Sequence, residues 1–186
     1  MPLREGAFIR RFTATDGRRV TLRGPRWSNL DDMLEFINGL VEERAEINAT
    51  EKKTRDEEMD WLAILITDVE RDAKVSVVAE VDDRLVGHVE VRLQGGYSKH
   101  KGILGIAIRN GYRDVGIGTE MMTEAEAQAR KLGVKLMTLD VFATNGRAIH
   151  LYDKLGYGMV GRVPKGFLKE GAYIDDIIMA KEIQSL

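Results

Sequence analysis

The segment at residues 113–119, Arg-Asp-Val-Gly-Ile-Gly-Thr, combines a basic side chain with two closely spaced glycines. It stands between an apolar run at residues 103–108 and a helical apolar pattern at residues 117–132. Glycines let the backbone approach a ligand closely, and the first turn of a helix presents amide N–H groups that have no partner inside the helix. Arg113 adds a permanent positive charge. The segment therefore predicts a binding site for the phosphate oxygens of a pyrophosphate ligand.

Two other glycine-rich phosphate sites offer alternative interpretations of this segment. A P-loop needs a lysine directly after its second glycine, but Ile117 follows Gly116 here, so we exclude a P-loop. A dinucleotide fingerprint needs the pattern G-x-G-x-x-G and an acidic residue about twenty positions further on. The first two glycines of this pattern are present as Gly116 and Gly118, and Asp140 supplies the acidic residue. Met121 stands where the third glycine should be. A dinucleotide-dependent oxidoreductase therefore stays open as an alternative.

A second motif lies downstream of the glycine segment. The pattern Arg-x-x-Gly-x-Gly resembles the acetyl-CoA signature of the GNAT family of N-acetyltransferases. The second motif of that family, N-x-x-A-x-x-L-Y-x-K-x-G-F/Y, is matched by Asn145, Ala148, Leu151, Tyr152, Lys154, Gly156 and Tyr157. The resemblance covers residues 75–157 and is nearest in character to the ribosomal-protein-alanine and polyamine acetyltransferases. Two motifs in the family's order are far more specific than one glycine pair.

The resemblance implies a mixed α/β fold with one acetyltransferase domain over residues 1–186. Its central sheet would have roughly six to seven mostly antiparallel strands and about four flanking helices. The strands before and after the helix at 117–132, the fourth and fifth of the family sheet, would splay apart. Residues 1–18 would form an N-terminal extension that could add a strand.

Local patterns place the other elements. Asp16-Gly17 and Asp82-Asp83 are hairpin turn signals, between strands at 8–13 and 19–23 and between strands at 75–81 and 85–93. A helix is expected after Ser28 or Asn29, and another at 56–72 with Met59, Leu62, Ala63 and Ile66 as its buried stripe. The remaining expected elements are a strand at 136–142, a helix at 145–155 and strands at 157–162 and 173–180.

The resemblance also implies a cofactor, acetyl-CoA (coenzyme A), and the residues that bind it. The glycine segment would hold the pyrophosphate, and the backbone of the preceding strand would bind the pantetheine amides as if they were another strand. A backbone N–H near Ile108 could stabilise the developing oxyanion. The full predicted cofactor set is Ile106, Ala107, Ile108, Arg113, Asp114, Val115, Gly116, Ile117, Gly118, Thr119, Asn145, Ala148 and Tyr152.

Three residues are predicted to be catalytic: Tyr152, Asp140 and Glu90. Tyr152 occupies the family's tyrosine position and could protonate the leaving thiolate; its alternative role is packing, with the hydroxyl on a backbone carbonyl. Asp140 interrupts an apolar strand and could take the amine proton through a water, or it could be a solvated or ion-paired residue. Glu90 is a rival base, and His100 is a weaker one.

The predicted reaction moves an acetyl group from acetyl-CoA to a primary amine by direct attack, through a tetrahedral intermediate. A protein or peptide N-terminus or a lysine is the expected acceptor; a polyamine, an amino acid, an antibiotic amine and a non-catalytic acetyl-CoA sensor are the alternatives. Carboxylates in the acceptor region would favour a cationic amine. The acceptor side could include Glu42, Glu43, Glu46, Tyr173, Asp175, Asp176 and a lid or hairpin at 161–171.

Composition limits the other classes of function. A net charge of −2 over 186 residues gives no general attraction to nucleic acid or to anionic membranes. The chain has no cysteine, and its three histidines lack a metal-binding spacing, so we expect no metal site. No apolar stretch approaches the roughly 18 residues of a membrane helix, and no signal peptide is recognisable. We therefore expect a cytoplasmic protein, with a homodimer as an open alternative to a monomer.

Overall fold

Eight strands and four helices form in the part of the chain that the structure describes, residues 3–184 of a computed structural model. The strands are β1 (Phe8–Thr13), β2 (Arg19–Arg23), β3 (Lys74–Val81), β4 (Arg84–Leu93), β5 (Lys101–Ile108), β6 (Leu136–Phe142), β7 (Gly158–Lys169) and β8 (Ala172–Glu182). The helices are α1 (Leu30–Glu42), α2 (Arg55–Glu70), α3 (Ile117–Lys131) and α4 (Gly146–Lys154). Short 3-10 turns occur at Trp27–Asn29 and Gly96–Ser98.

All eight strands join one sheet in the order β1-β2-β3-β4-β5-β6-β8-β7. Every neighbouring pair is antiparallel except β5 and β6, which are parallel. The expected six to seven strands are therefore too few. The N-terminal hairpin accounts for the difference, because β2 pairs with β3 (Thr21 lies opposite Glu80) and carries β1 to the sheet edge.

Turn chemistry explains how the hairpins close. Asp82 and Asp83 both have positive φ, 48° and 60°, as expected for the type I′ turn whose twist suits a two-residue hairpin. The last hairpin is longer than predicted, because β7 continues to Lys169 before the chain turns through Glu170 and Gly171. The basic segment at 161–171 is therefore mostly strand and hairpin turn.

Helices cover both faces of the sheet. The larger core cluster lies on the α3 side, with Val89, Met121, Leu139 and Tyr152 among its buried members. The smaller cluster lies on the α1–α2 side and includes Leu62 of α2. The site described below opens on the α1–α2 side, because these two helices cover only part of that face. None of the helices within residues 3–184 is long and apolar enough to cross a membrane.

Helix α2 begins with a capping box in which Thr54 and Glu57 satisfy each other's backbone N–H groups. Its buried residues are Glu58, Leu62, Leu65, Ile66 and Val69. The predicted stripe is therefore wrong at Met59, which is 40% exposed. The helix is rotated so that an acidic side chain takes the buried position in the first turn. A hydrophobicity pattern assigns such a position to the nearest apolar residue instead.

Candidate functional site

Strands β5 and β6 separate soon after they begin. Their parallel pairing comprises Lys101 with Leu136, Gly102 with Met137 and Ile103 with Thr138, and the strands then diverge towards Ile108 and Phe142. The predicted splay is thus confirmed. A crevice of about 1500 Å³ opens along the gap and extends over the uncovered sheet face towards α1 and α2.

Most of the predicted site residues line this crevice. The lining set includes Glu90, Ile106, Ala107, Ile108, Arg113, Asp114, Gly116, Gly118, Thr119, Asp140, Asn145, Ala148 and Tyr152. Val115 and Ile117 belong to the same turn but are outside the lining, and Ile117 is fully buried in the core. His100 lies before β5 and is also outside the lining, so the structure does not bring this weaker base candidate to the crevice.

The glycine turn delivers the start of α3 to the crevice. Gly116 is the N-cap residue with φ of +90°, a left-handed conformation that glycine adopts without strain. No side chain caps this helix end, which leaves the first-turn amides available to a ligand. Gly118 allows close packing, since an added Cβ would lie 3.1 Å from Leu151 Cδ2 and 3.2 Å from Ile108 Cδ1.

The N-terminal hairpin supports the same turn from outside. The Thr15 N–H donates to the Val115 carbonyl over 3.1 Å. Arg18 donates to the Gly111 carbonyl over 2.6 Å and lies 4.2 Å from the centre of the Tyr112 ring. These contacts fix the loop between β5 and α3, so the segment before β2 contributes to the site's geometry as well as to the sheet.

Arg113 is already engaged within the protein. Its Nε donates to the Ile108 carbonyl over 2.7 Å, and its guanidinium pairs with Glu43 at the end of α1. The carboxylate of Glu43 therefore neutralises the positive charge of Arg113, which the sequence predicts to bind the pyrophosphate. Glu42 pairs with Lys52 at the surface. Among the three glutamates expected near the acceptor, Glu46 is the one that lines the crevice, and its carboxylate accepts from the Thr144 hydroxyl.

Backbone direction along β5 alternates between β4 and the gap. The Arg109 N–H donates to the Val86 carbonyl of β4 over 2.8 Å. Neighbouring residues of a strand direct their N–H and C=O groups to opposite sides, so Ile108 and Ile106 direct theirs away from β4. The Ile108 carbonyl accepts from Arg113 on that side, as this alternation requires.

Helix α4 forms the wall opposite β5. Asn145 is its N-cap, and the side chain accepts from the Ala148 N–H over 3.1 Å. Tyr152, 7% exposed, packs with its ring centre 6.1 Å from that of Tyr157. Burial raises the pKa of Tyr152 to about 12. Its hydroxyl makes no hydrogen bond to any of residues 3–184, so the alternative bond to a backbone carbonyl is absent there.

Three carboxylates line the sheet-face part of the crevice. Asp140 on β6 is exposed to it, and Asp176 on β8 is half-buried beside it. Burial, followed by the charge of Asp140, raises the pKa of Asp176, and Asp176 Oδ1 is buried without a hydrogen-bond partner in the described chain. Glu90 on β4 is different, because Lys74 lies 3.4 Å and Arg92 3.9 Å from its carboxylate.

The other acceptor-side candidates are placed elsewhere. Tyr173 is 65% exposed and outside the crevice lining. Asp175 accepts from Arg162 over 2.6 Å and from the Lys165 N–H over 2.9 Å, and these bonds hold its pKa below the ordinary value. Its role is to join β7 to β8. Within residues 3–184 no three His, Asp or Glu side chains are grouped so that they could hold a metal ion.

Sequence reasoning missed a group on the α1–α2 side of the crevice: Glu58, Trp61 and His88. His88 Nε2 lies 2.9 Å from the Ser76 hydroxyl, and burial lowers the pKa of His88. Its ring meets the Trp61 ring edge-on, with centroids 5.6 Å apart. The only sequence signal for this group is the helical spacing of Glu58 and Trp61, which is too common to indicate a site.

Comparisons with known proteins agree with this geometry. Residues 38–157 match the model of the acetyltransferase (GNAT) family. The chain is 31% identical over 107 residues to the L-amino acid N-acetyltransferase AaaT of Escherichia coli K12, covering 56% of this chain and 66% of that protein. It is 35% identical over 91 residues to the N-alpha-acetyltransferase of Sulfurisphaera tokodaii, covering 43% and 54%. The matched segments thus span less than two thirds of either relative.

A solved structure has the same fold. Salmonella typhimurium yncA, solved with its cofactor acetyl-CoA, superposes with a TM-score of 0.79 at 17% identity, over 90% of this chain and 95% of that one. Acetyl-CoA is the acetyl donor of the family. The family match covers both the glycine turn and the α4 motif, and it decides against the dinucleotide alternative. The chain belongs to the GNAT family of acetyltransferases.

Proposed function

We propose that this protein is an N-acetyltransferase that transfers the acetyl group of acetyl-CoA to a primary amine. The observation that carries the proposal is the gap between β5 and β6, because it leads directly to the uncapped amide end of α3. A diphosphate at the helix end and an extended arm in the gap would fit the two features together.

The cofactor fits the residues that line this part of the crevice. The amides of Gly116, Gly118 and Thr119 would receive the diphosphate, and Gly116 places no Cβ in its path. Arg113 would have one of two roles. It would leave Glu43 and pair with a phosphate of the cofactor, or it would keep its present contacts and hold the loop between β5 and α3 in place. Ile106 and Ile108 would offer backbone groups to the pantetheine amides, since those groups are directed away from β4.

Tyr152 is suited to supply a proton. Its raised pKa keeps the phenol protonated at neutral pH, and its hydroxyl has no hydrogen-bond partner in residues 3–184 that would compete with a departing thiolate. Acetyl-CoA supplies the activated thioester carbonyl. The task of Tyr152 would be to hold one proton for the departing thiolate from a largely buried position.

Asp140 is suited to accept a proton from the amine through a bridging water. It faces the crevice from β6 without burial, whereas the rival base Glu90 lies close to two cationic side chains. Asp176 on the neighbouring strand adds negative charge beside Asp140, which would favour a cationic amine at this point of the crevice.

A primary amine is the acceptor class that these groups favour. The sheet-face part of the crevice carries Asp140 and Asp176, whose carboxylates would attract a cationic amine before it loses its proton. The names of the two relatives point to α-amino groups, either of amino acids or of peptide N-termini. Lysine side chains and polyamines offer the same chemical group.

The test is release of free coenzyme A thiol when the protein is mixed with acetyl-CoA and an amine panel. The panel contains L-amino acids, a peptide with a free N-terminus, and diamines. Amine-dependent thiol release is expected, and Tyr152→Phe should slow it while coenzyme A binding is kept. Tyr97→Phe, at a fully exposed tyrosine outside the crevice, is the matched control. Tight coenzyme A binding with no amine-dependent release would instead support the non-catalytic sensor.

A further inference from the structure

Glu58 is a buried acidic residue without a partner. It is 5% exposed, and its side chain lines the crevice from the first turn of α2. Its carboxylate makes no hydrogen bond or ion pair within residues 3–184. Lys53 exerts a distant attraction on it, but the two side chains do not form an ion pair. Burial raises the pKa of Glu58 to about 7.

Such a residue is unfavourable for folding alone. A largely buried carboxyl group loses part of its hydration, and no donor of the described chain replaces what Glu58 loses. An apolar residue at this position of the α2 stripe would pack with Leu62 and Leu65 without that cost. An unpartnered carboxylate that lines a crevice is instead typical of a ligand-binding group.

The residues around Glu58 indicate the chemical class of the ligand. Trp61 lies one helical turn further on and is 36% exposed, so its ring offers an apolar and electron-rich surface. The crevice is also lined by Met33, Phe36 and Ile37 of α1, which pack in the same apolar cluster as Leu62 and Leu65 of α2. A carboxylate accepts hydrogen bonds and attracts positive charge. Apolar walls beside one carboxylate fit an aliphatic chain that ends in an ammonium group.

The position of Glu58 separates it from the reacting centre. Helix α2 packs on β3, whereas the gap for the thioester arm lies beyond β5. The Trp61 ring, one turn after Glu58, contacts His88 of β4, and β5 still lies between β4 and the gap, a strand spacing of roughly 5 Å. Glu58 therefore lies to one side of the gap, where it would bind a second group of the acceptor while another amine of the same molecule attacks the thioester.

We propose that Glu58 is a specificity-determining residue that binds a second positively charged group of the acceptor, at the far end of an apolar chain packed on Trp61. This inference rests on the proposed N-acetyltransferase function. It narrows the acceptor to amines with a distant cation, a class that includes diamines, polyamines and basic side chains.

Cadaverine and pentylamine are the probes that test it. Both offer a primary amine on a five-carbon chain, and cadaverine alone carries a second amine, an ammonium group at neutral pH, at the other end. For the wild-type protein, kcat/KM for cadaverine should exceed that for pentylamine by roughly tenfold to hundredfold, the usual worth of a hydrogen-bonded charge. Glu58→Gln should remove most of this preference by raising the KM for cadaverine, with the KM for acetyl-CoA unchanged.

Asp60→Asn is the matched control, because it removes one carboxylate from an exposed position of α2 outside the crevice. It should keep the preference for cadaverine. Equal use of the two amines by the wild type, or an undiminished preference in Glu58→Gln, would overturn the inference, as would acetylation of other amines without any of cadaverine. Failure to acetylate any amine at all would instead count against the proposed function.

Discussion

Replacing Gly116 by alanine tests the glycine turn without crowding it. A Cβ at this position would have Thr15 Cγ2 as its nearest neighbour, 4.0 Å away, so the substitution creates no clash within the protein. Its φ of +90° is nevertheless strained for alanine, at a cost of about 1–2 kcal/mol. The same Cβ would stand at the amide end of α3, where the diphosphate is proposed to bind.

Gly133→Ala is the control for the strain alone. Gly133 follows α3 with φ of +84° and has no atom within 4 Å of an added Cβ, so its local situation matches that of Gly116. Urea unfolding should show a similar loss of stability in both variants, about 1–2 kcal/mol each. Calorimetric titration should show coenzyme A binding weakened roughly tenfold, about 1.4 kcal/mol, in Gly116→Ala only. Equal coenzyme A affinity in the two variants would refute the proposed role of the turn.

Three further substitutions have expected outcomes. Tyr152→Phe should lower kcat by roughly hundredfold, measured by thiol release, while its unfolding midpoint stays near that of the wild type; an unchanged kcat would remove Tyr152 as the acid. Asp140→Asn should lower kcat at neutral pH by a similar factor, and an unchanged kcat would transfer the base role to Glu90. Burial raises the pKa of Glu58 from 4.5 to about 7, so the folded state holds more protons than the unfolded state between those values and stability falls as pH rises through them. Glu58→Gln should remove this fall, on the order of 2 kcal/mol, in urea unfolding at the two ends of the window; a wild-type stability that stays level there would contradict the burial of Glu58.

The cofactor side of the site could be predicted because its determinants are local. The glycine turn needs left-handed backbone at Gly116, and the α4 motif needs Asn145 to cap a helix, so both leave short patterns in the sequence. The splay of β5 from β6 followed from the family resemblance to these patterns, and the strand pairing confirms it.

The part of the acceptor side around Glu58 could not be predicted, because its residues meet only through tertiary packing. Glu58 lies on α2 and His88 on β4, and neither has a neighbour in sequence that indicates the other. The rotation of α2 that buries Glu58 in place of Met59 is decided by packing against the sheet. Burial and then the charge of Asp140 on another strand raise the pKa of Asp176, and no local pattern records either cause.

The ion pair between Arg113 and Glu43 could not be predicted either, because it also depends on tertiary packing. The sequence indicates a free cation beside the glycines, whereas the fold brings the end of α1 against the turn and balances that charge. The strand count that the family resemblance implied was also too low, because pairing of β2 with β3 depends on residues nearly sixty positions apart.

The central claim is that the amides at the start of α3 hold the diphosphate of coenzyme A. Amide chemical shifts during titration test this most directly, with coenzyme A compared to adenosine, which lacks the diphosphate and the pantetheine arm. The account predicts that coenzyme A shifts the amide signals of Gly116, Gly118 and Thr119 most strongly, whereas adenosine leaves them nearly unchanged. Coenzyme A binding that leaves these three signals in place would contradict it.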